Sequence, residues 1–467
     1  MKSKISPFAL LIVICAFTVA AFAGIFAGDF HYDDISTILE NSHLDGWQTF
    51  VGHLDHMVRP VLYATFLFDR SLYGTNPAGY HLLNLLLHLG SGLLIYRILS
   101  RAVTEDIRLV PFLTAFLFLI HPITTETVTY ISGRASGLMT FFYLFAFFLY
   151  IKVSEHSDAV KLRWLYLSGS VLMFILSLGS KETAVTFPLA LLFWDLLVRR
   201  LKGPSLRSAI LSEHLPFWIV LLLAAIWAVA HPRYTALAQF SFTLRPFWDN
   251  ALSELHAMAY ALVLFFTPWN QNFDHDLREF HSLSQWPLPR DLLLFSTIAG
   301  AALISWRRHP LVAFGLGWFF LQLLPISLIP RNDLLSERNL YLPSIGLFLA
   351  IVALGSLAAQ RFSTVLPRPG ILRFASMGLA AMVVLVLCFF TYQRNQLYQD
   401  RLSLWSDAVF KSPAKARPHN NLGYAYAIRG DWDRAIEEFR TAVRLDPDYL
   451  LAQQNLRLAY LHHVGRQ

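Results

Sequence analysis

The sequence predicts an all-α protein: a polytopic membrane helical bundle followed by a small C-terminal domain of helical repeats. Three observations carry this. Of the 467 residues, 55% are hydrophobic and only 15% charged, the reverse of a soluble enzyme of this length. Many uncharged runs approach the roughly 20 residues a helix needs to cross a bilayer core. From about Tyr392 those runs give way to a charged pattern of helical period.

The formal charge of +7 does not signal nucleic acid, because the basic residues cluster between hydrophobic runs, as the positive-inside rule requires. Cys15 and Cys388 lie within such runs, so no disulfide framework is expected. The opening Met1-Lys2-Ser3-Lys4 and the apolar run behind it read as a retained anchor, since no small-x-small site precedes a soluble domain. No Asn-x-Ser/Thr acceptor occurs, which favours a bacterial inner membrane.

Taken in order, residues 8–27 form the first span, and Lys2 and Lys4 hold the N-terminus in the cytoplasm. The polar stretch Gly28-Asp29-Phe30-His31-Tyr32-Asp33-Asp34 then faces outside and opens a long external segment, 29–80. Spans follow at about 81–99, 110–121, 136–151, 164–179, 183–198 and 214–230. The stretch 251–267 is read as interfacial or re-entrant, because Glu254 and His256 make a full crossing expensive. Spans at 291–306, 311–328, 341–358 and 373–391 complete eleven crossings of a domain covering 1–391. This keeps Arg199–Lys202, Arg307-Arg308 and Arg361–Arg373 in the cytoplasm and puts the tail, 392–467, outside.

In the tail, Leu422-Gly423, Tyr426, Ala435, Phe439, Ala442 and Pro447 fall at the spacings of a 34-residue tetratricopeptide repeat. Trp405, Ala408 and Pro413 precede Phe439, Ala442 and Pro447 by the same period, and Leu456 and Tyr460 follow Leu422 and Tyr426 by it. One full repeat with two flanking halves is a small stack that leans on the last span or on a partner.

With this topology the unusual polar residues share the outer face: Asp33, Asp34, Asn41, Arg59, His81, His121, Glu126, Arg134, Lys181, Glu182, Arg331, Asp333, Glu337, Arg338 and Tyr341. Carboxylates beside cations suit transfer of a group from an anionic lipid to a neutral acceptor. A carboxylate takes the proton of the incoming hydroxyl, and the cations bind the phosphate that leaves. Arg338 and Lys181, with Arg59 and Arg134 behind them, are expected to line one cavity with Asp33. Duller readings stand beside these: Lys181-Glu182 as an interfacial ion pair, the histidines bonded to backbone, and Arg338 with Tyr341 as an interfacial anchor. The histidines are too scattered for a zinc site. A transporter would want charges at mid-membrane, and the long spans are nearly free of them. A non-catalytic membrane-anchored repeat scaffold for envelope assembly remains the alternative to an enzyme.

Several motifs together resemble the GT-C membrane glycosyltransferases, including the protein O-mannosyltransferases and the transmembrane proteins bearing tetratricopeptide repeats. They are Phe30-His31-Tyr32-Asp33-Asp34 with Asn41, Arg59-Pro60, Gly79-Tyr80-His81 with Asn84 and His88, and His121-Pro122 with Glu126 and Arg134. Lys181-Glu182 with Pro188 and Asp195, and Glu337-Arg338-Asn339-Leu340-Tyr341-Leu342-Pro343-Ser344, extend the match over nearly the whole chain. The resemblance implies a GT-C-like fold and a polyprenyl- or dolichyl-phosphate sugar as donor and co-substrate. It implies inversion at the anomeric carbon, with Asp33 as base and Asp34 second in a motif that reads Asp-Glu in the family. Arg59, Arg134, Lys181 and Arg338 are then the donor-phosphate cations. Asn41, His81, His121, Glu126, Glu182, Glu337 and Tyr341 are candidates for sugar or acceptor binding. A protein or peptide acceptor or partner would meet the repeat domain, and a divalent metal is left open.

Overall fold

A computed structural model describes residues 7–103, 107, 109–156, 158–365 and 369–464; Lys2, Lys4 and Arg368, on which part of the orientation reading rests, lie outside them. The described residues form helices and turns, with no strand among them. Eight of these helices are long and apolar enough to cross a membrane: Pro77–Leu99, Ile131–Glu155, Val160–Leu178, Gly203–Ala230, Leu288–Arg308, Pro310–Leu328, Glu337–Arg361 and Gly378–Leu397.

Each of the other three expected crossings is also helical, but short or broken. Ile12–Ala27 is a shorter apolar helix, and Val110–Ile120 meets Pro122–Thr129 at a 58° bend. Phe187–Leu197 has 11 residues, which at 1.5 Å each spans roughly 16 Å, half of a hydrocarbon core. The interruptions have a local cause. Pro122 and Pro188 each sit at a helix start, where proline's missing N–H costs nothing, and polar 3₁₀ turns precede them or follow them. Those breaks carry His121, Glu126, Lys181 and Glu182.

The segment expected at 251–267 is the 18-residue helix Phe247–Leu264, which is not among the helices apolar enough to span. Its polar residues pack inward. Asn250 accepts from Arg245 at 2.9 Å and donates to the Ser327 carbonyl at 2.8 Å, while His256 meets Asp291 at 2.8 Å.

Large aromatics fill the bundle centre, with Phe147 packed on Phe187, Trp194 and Trp318. Pro310–Leu328 and Tyr341–Val365 cross closely because Gly315 and Gly346 face each other. A Cβ on Gly315 would lie 2.5 Å from the Gly346 carbonyl oxygen, and one on Gly346 would clash with the Gly315 carbonyl.

The last long helix, Pro369–Leu397, continues past the compositional break at Tyr392. Asp400 then caps Arg401–Lys411 by accepting from the Leu402 and Ser403 amides. Ala416–Ile428, Trp432–Leu445 and Leu450–Val464 complete the repeat stack. Gly423 allows the close approach its spacing implies: a Cβ there would meet the Phe439 ring at 2.8 Å. The stack leans on the membrane domain, with Tyr398 and Leu404 packed on Tyr130 and Phe273.

Candidate functional site

The loop at 28–34 is held by Asp34. Its buried carboxylate accepts from the His31 amide at 2.9 Å, the Ser132 amide at 2.7 Å and the Ser132 hydroxyl. Burial raises this carboxyl to about 7, against the pull of those donors. Tyr32, just before the two aspartates, sits at φ 43°, a left-handed conformation uncommon for such a residue.

Asp33 lines a cavity of about 170 Å³ together with Thr37, Arg59, Ser132, Lys181, Arg331, Arg338 and Asn339. Its carboxylate is half-buried, and none of the described residues donates a hydrogen bond to it. Three of the cations facing it are locked from behind. Arg59 forks onto Glu182, with contacts of 2.8 to 3.2 Å. Arg338 donates to the buried Glu126 through its side chain at 2.7 Å and its amide at 3.0 Å, with Ser336 as a third donor. Lys181 donates to Ser136 and Asn339, both at 2.7 Å. Arg331 makes no side-chain hydrogen bond or ion pair with a described residue.

The electrostatics favour an anion. Burial, reinforced by Arg59, Arg331 and Arg338, holds the Lys181 ammonium well below the usual lysine range. Burial brings Arg331 down to about 10; Glu254 opposes this and the like charges of Arg59 and Arg338 add to it. An anion bound among them relieves that repulsion. Helix starts point the same way. Arg59 caps Pro60–Tyr73, Ser132 lies just before Arg134–Glu155, and Lys181 and Arg338 sit in or beside 3₁₀ turns that lead into Phe187–Leu197 and Tyr341–Val365. The positive ends of helix dipoles favour negative charge there.

Beside this cavity runs an apolar groove of about 310 Å³, walled by Val58, Pro60, Ile175, Leu178, Val220, Leu221, Trp227 and Tyr234, with Glu182 at its edge. Tyr234 donates to the Val58 carbonyl at 2.6 Å and reaches Glu182 at 3.4 Å.

Several expected site residues do other work. Asp34 is spent on the loop and does not face the cavity. Arg134 is buried with its donors committed to Asp69 at 2.6 Å, Asn84 at 2.7 Å, the Tyr80 carbonyl at 2.9 Å and Thr65 at 3.2 Å, so it cannot reach a phosphate. Glu182 pairs with Arg59, not with its neighbour Lys181. Asn41 closes its own turn, accepting from the His43 amide and donating to Thr37. His121 bonds the Ile123 amide and the Phe265 carbonyl, as the backbone reading has it. His81 is buried with its ring against Gly28, and neither ring nitrogen has a partner among the described residues. Glu337 accepts from the Asn272 amide at 2.6 Å, His275 at 3.0 Å and Arg394 at 3.4 Å, and Tyr341 bonds His88 at 2.7 Å. Glu126 holds Arg338 in place. None of these side chains lines the cavity.

Arg331 is the phosphate-type cation that the motifs leave without a role. Its sequence signal is a cation beside a proline just past the end of a span, Pro330-Arg331, which mirrors Arg59-Pro60. Among the described residues no group of three His, Cys, Asp or Glu side chains converges.

The tetratricopeptide-repeat family model matches residues 416–449. Over most of its length the chain is similar to proteins named protein O-mannosyl-transferase. It is 26% identical to F38B6.6 of Caenorhabditis elegans over 94% of the chain and 63% of that protein. It is 26% identical to Tmtc3 of Drosophila melanogaster over 91% of the chain and 54% of the relative, and 26% identical to human TMTC4 over 94% and 66%. The chain thus spans about half to two-thirds of the length of these curated relatives. No solved structure matches it.

Proposed function

We propose that this membrane protein is an inverting glycosyltransferase of GT-C type, moving a mannosyl-like sugar from a polyprenyl- or dolichyl-phosphate donor to a protein hydroxyl. The observation that carries the reading is the single cavity in which an unpaired Asp33 carboxylate faces Arg59, Lys181, Arg331 and Arg338. A membrane scaffold has no use for that arrangement. The relatives named protein O-mannosyl-transferase support the sugar class and the protein acceptor.

In the transfer step the acceptor oxygen attacks the anomeric carbon while its proton passes to Asp33. The bond from that carbon to the phosphate oxygen breaks, and its electron pair stays on the phosphate. The donor phosphodiester carries one negative charge, and the departing lipid phosphate approaches two. Of the four cations, Arg59 is balanced by Glu182 and Arg338 by Glu126, and the Asp33 carboxylate opposes one more: 4 − 3 = 1 uncompensated charge while Asp33 is ionised, and 4 − 2 = 2 once it has taken the acceptor proton. The cavity's net positive charge therefore rises together with the negative charge on the departing phosphate, and cations fixed around the leaving oxygen stabilise that charge as it develops. The apolar groove beside Arg59 and Glu182 suits the first isoprene units of the donor. The orientation that fits is a bacterial inner membrane with the cavity and the repeat domain on the periplasmic side.

The test is Asp33→Asn in detergent-solubilised full-length protein given polyprenyl-phosphate mannose and a Ser/Thr-rich peptide. A positioned base is worth about a hundred- to ten-thousand-fold. Transfer should fall by that much while binding of the lipid phosphate survives. Full transfer by the Asn variant would remove Asp33 as the base, and no transfer by the wild type would favour a scaffold.

A further inference from the structure

We infer that the repeat domain is a clamp on the transfer cavity, and that Arg417 is its positioning residue; the catalytic part of this inference rests on the proposed transfer. Arg417 lies in Ala416–Ile428, the first helix of the full repeat. Its guanidinium reaches three separate pieces of the membrane domain. Its Nε donates to Asp274 at 2.6 Å and a second nitrogen also meets that carboxylate. The same terminal nitrogen donates to Asp333 at 2.7 Å, and the group lies over the Tyr32 ring, 5.7 Å from its centroid.

Two of those contacts adjoin the cavity. Tyr32, left-handed in its backbone, precedes Asp33, and its ring packs edge-on against both Trp405 of the tail and Phe273. Asp333 lies two residues after Arg331, the cation whose side chain makes no hydrogen bond or ion pair with a described residue. One side chain on the repeat therefore ties down both the carboxylate side and the phosphate side of the cavity.

The third piece explains why this face of the repeat is a clamp. The segment 271–275 lies along it, held through both its backbone and its side chains. Lys411 donates to the Gln271 carbonyl at 2.7 Å, Ser412 to that of Asp274 at 2.7 Å and Lys415 to that of His275 at 3.0 Å. Lys415 also pairs with Asp274 at 2.6 Å and Asp333 at 3.0 Å. The chain's own external segment thus occupies this surface.

The experiment compares Arg417→Ala, Arg417→Lys and a control, Glu438→Gln. The control breaks the pair that Glu438 makes with His419 at 2.6 Å in the same repeat, away from all three pieces. Hydrogen exchange of full-length protein is read alongside kcat and the donor KM with polyprenyl-phosphate mannose. Displacing a reacting group by about an ångström costs up to roughly a hundred-fold. Arg417→Ala should lower kcat roughly ten- to a hundred-fold, and amide protection should fall in both 29–40 and 329–336 but not in 419–445. Arg417→Lys should fall between, since an ammonium cannot fork onto two carboxylates. Glu438→Gln should match the wild type in both readouts. Unchanged exchange in the two loops, unchanged kcat in Arg417→Ala, or an equal loss in Glu438→Gln would each overturn the clamp. If the wild type transfers nothing from this donor, the proposed transfer fails by itself. The exchange pattern alone then upholds or overturns the clamp.

Discussion

Asp33 and Asp34 are neighbours of identical chemistry, and the fold gives them opposite tasks. Asp34 faces three donors and is sealed by Ser132, whereas the Asp33 carboxylate has no donor among the described residues. This separates two variants that look alike on paper. Asp33→Asn should keep the thermal stability of the wild type and lose transfer. Asp34→Asn turns one acceptor oxygen into a donor facing other donors, and a buried polar group left unsatisfied costs about 1–3 kcal/mol. Its melting temperature in detergent should therefore drop, with any loss of transfer following from the loosened loop. An Asp34→Asn protein as stable as the wild type would show that the Ser132 contact is not what holds the loop. The spacing of the motif made both aspartates visible. It did not say which one is free, because that depends on Ser132, 98 residues away.

At the scale of elements, the site is built from helix starts and broken helices, and the bundle around it from close crossings. Short polar 3₁₀ turns at the ends of the expected spans put Lys181 and Arg338 next to helix starts, lining the cavity. The bundle holds those ends in place through contacts such as that between Gly315 and Gly346, where added bulk meets backbone and cannot swing away. Gly315→Ala should therefore destabilise the protein by about 1–3 kcal/mol, the usual cost of overpacking. Gly300, in Leu288–Arg308, has open space where its Cβ would go, so Gly300→Ala should leave stability unchanged or slightly higher. Equal melting temperatures for the two variants would argue that the crossing is not tight.

At the scale of the molecule, the two ends of the bundle differ in chemistry. Arg200 donates to the Arg307 carbonyl at 3.4 Å, so the clusters Arg199–Lys202 and Arg307-Arg308 meet at one end. Phe187–Leu197 and Pro310–Leu328 lead from those clusters toward Lys181 and Arg331, at the cavity and the repeat domain. On a background without Cys15 and Cys388, single cysteines at Leu201 and Tyr424 should therefore label from opposite sides of the membrane. Labelling of both from one side would refute the orientation proposed for the cavity.

The sequence by itself determined the class of the molecule. Apolar run length marks the helices that cross, and the 34-residue spacing marks the repeat, because both are local properties of consecutive residues. It also marked Asp33, Arg59, Lys181 and Arg338, since charged residues at span ends are conspicuous in so apolar a chain. What only the tertiary structure decided is how each polar group is spent. Arg134 is as conspicuous as Arg59, yet Asp69 and Asn84 consume it. Glu182 turns from its neighbour to Arg59, and Arg331 is left free to meet an anion. Pairing in a low-dielectric interior is settled by which buried groups the packing brings within hydrogen-bond reach, and that reach joins residues more than a hundred positions apart.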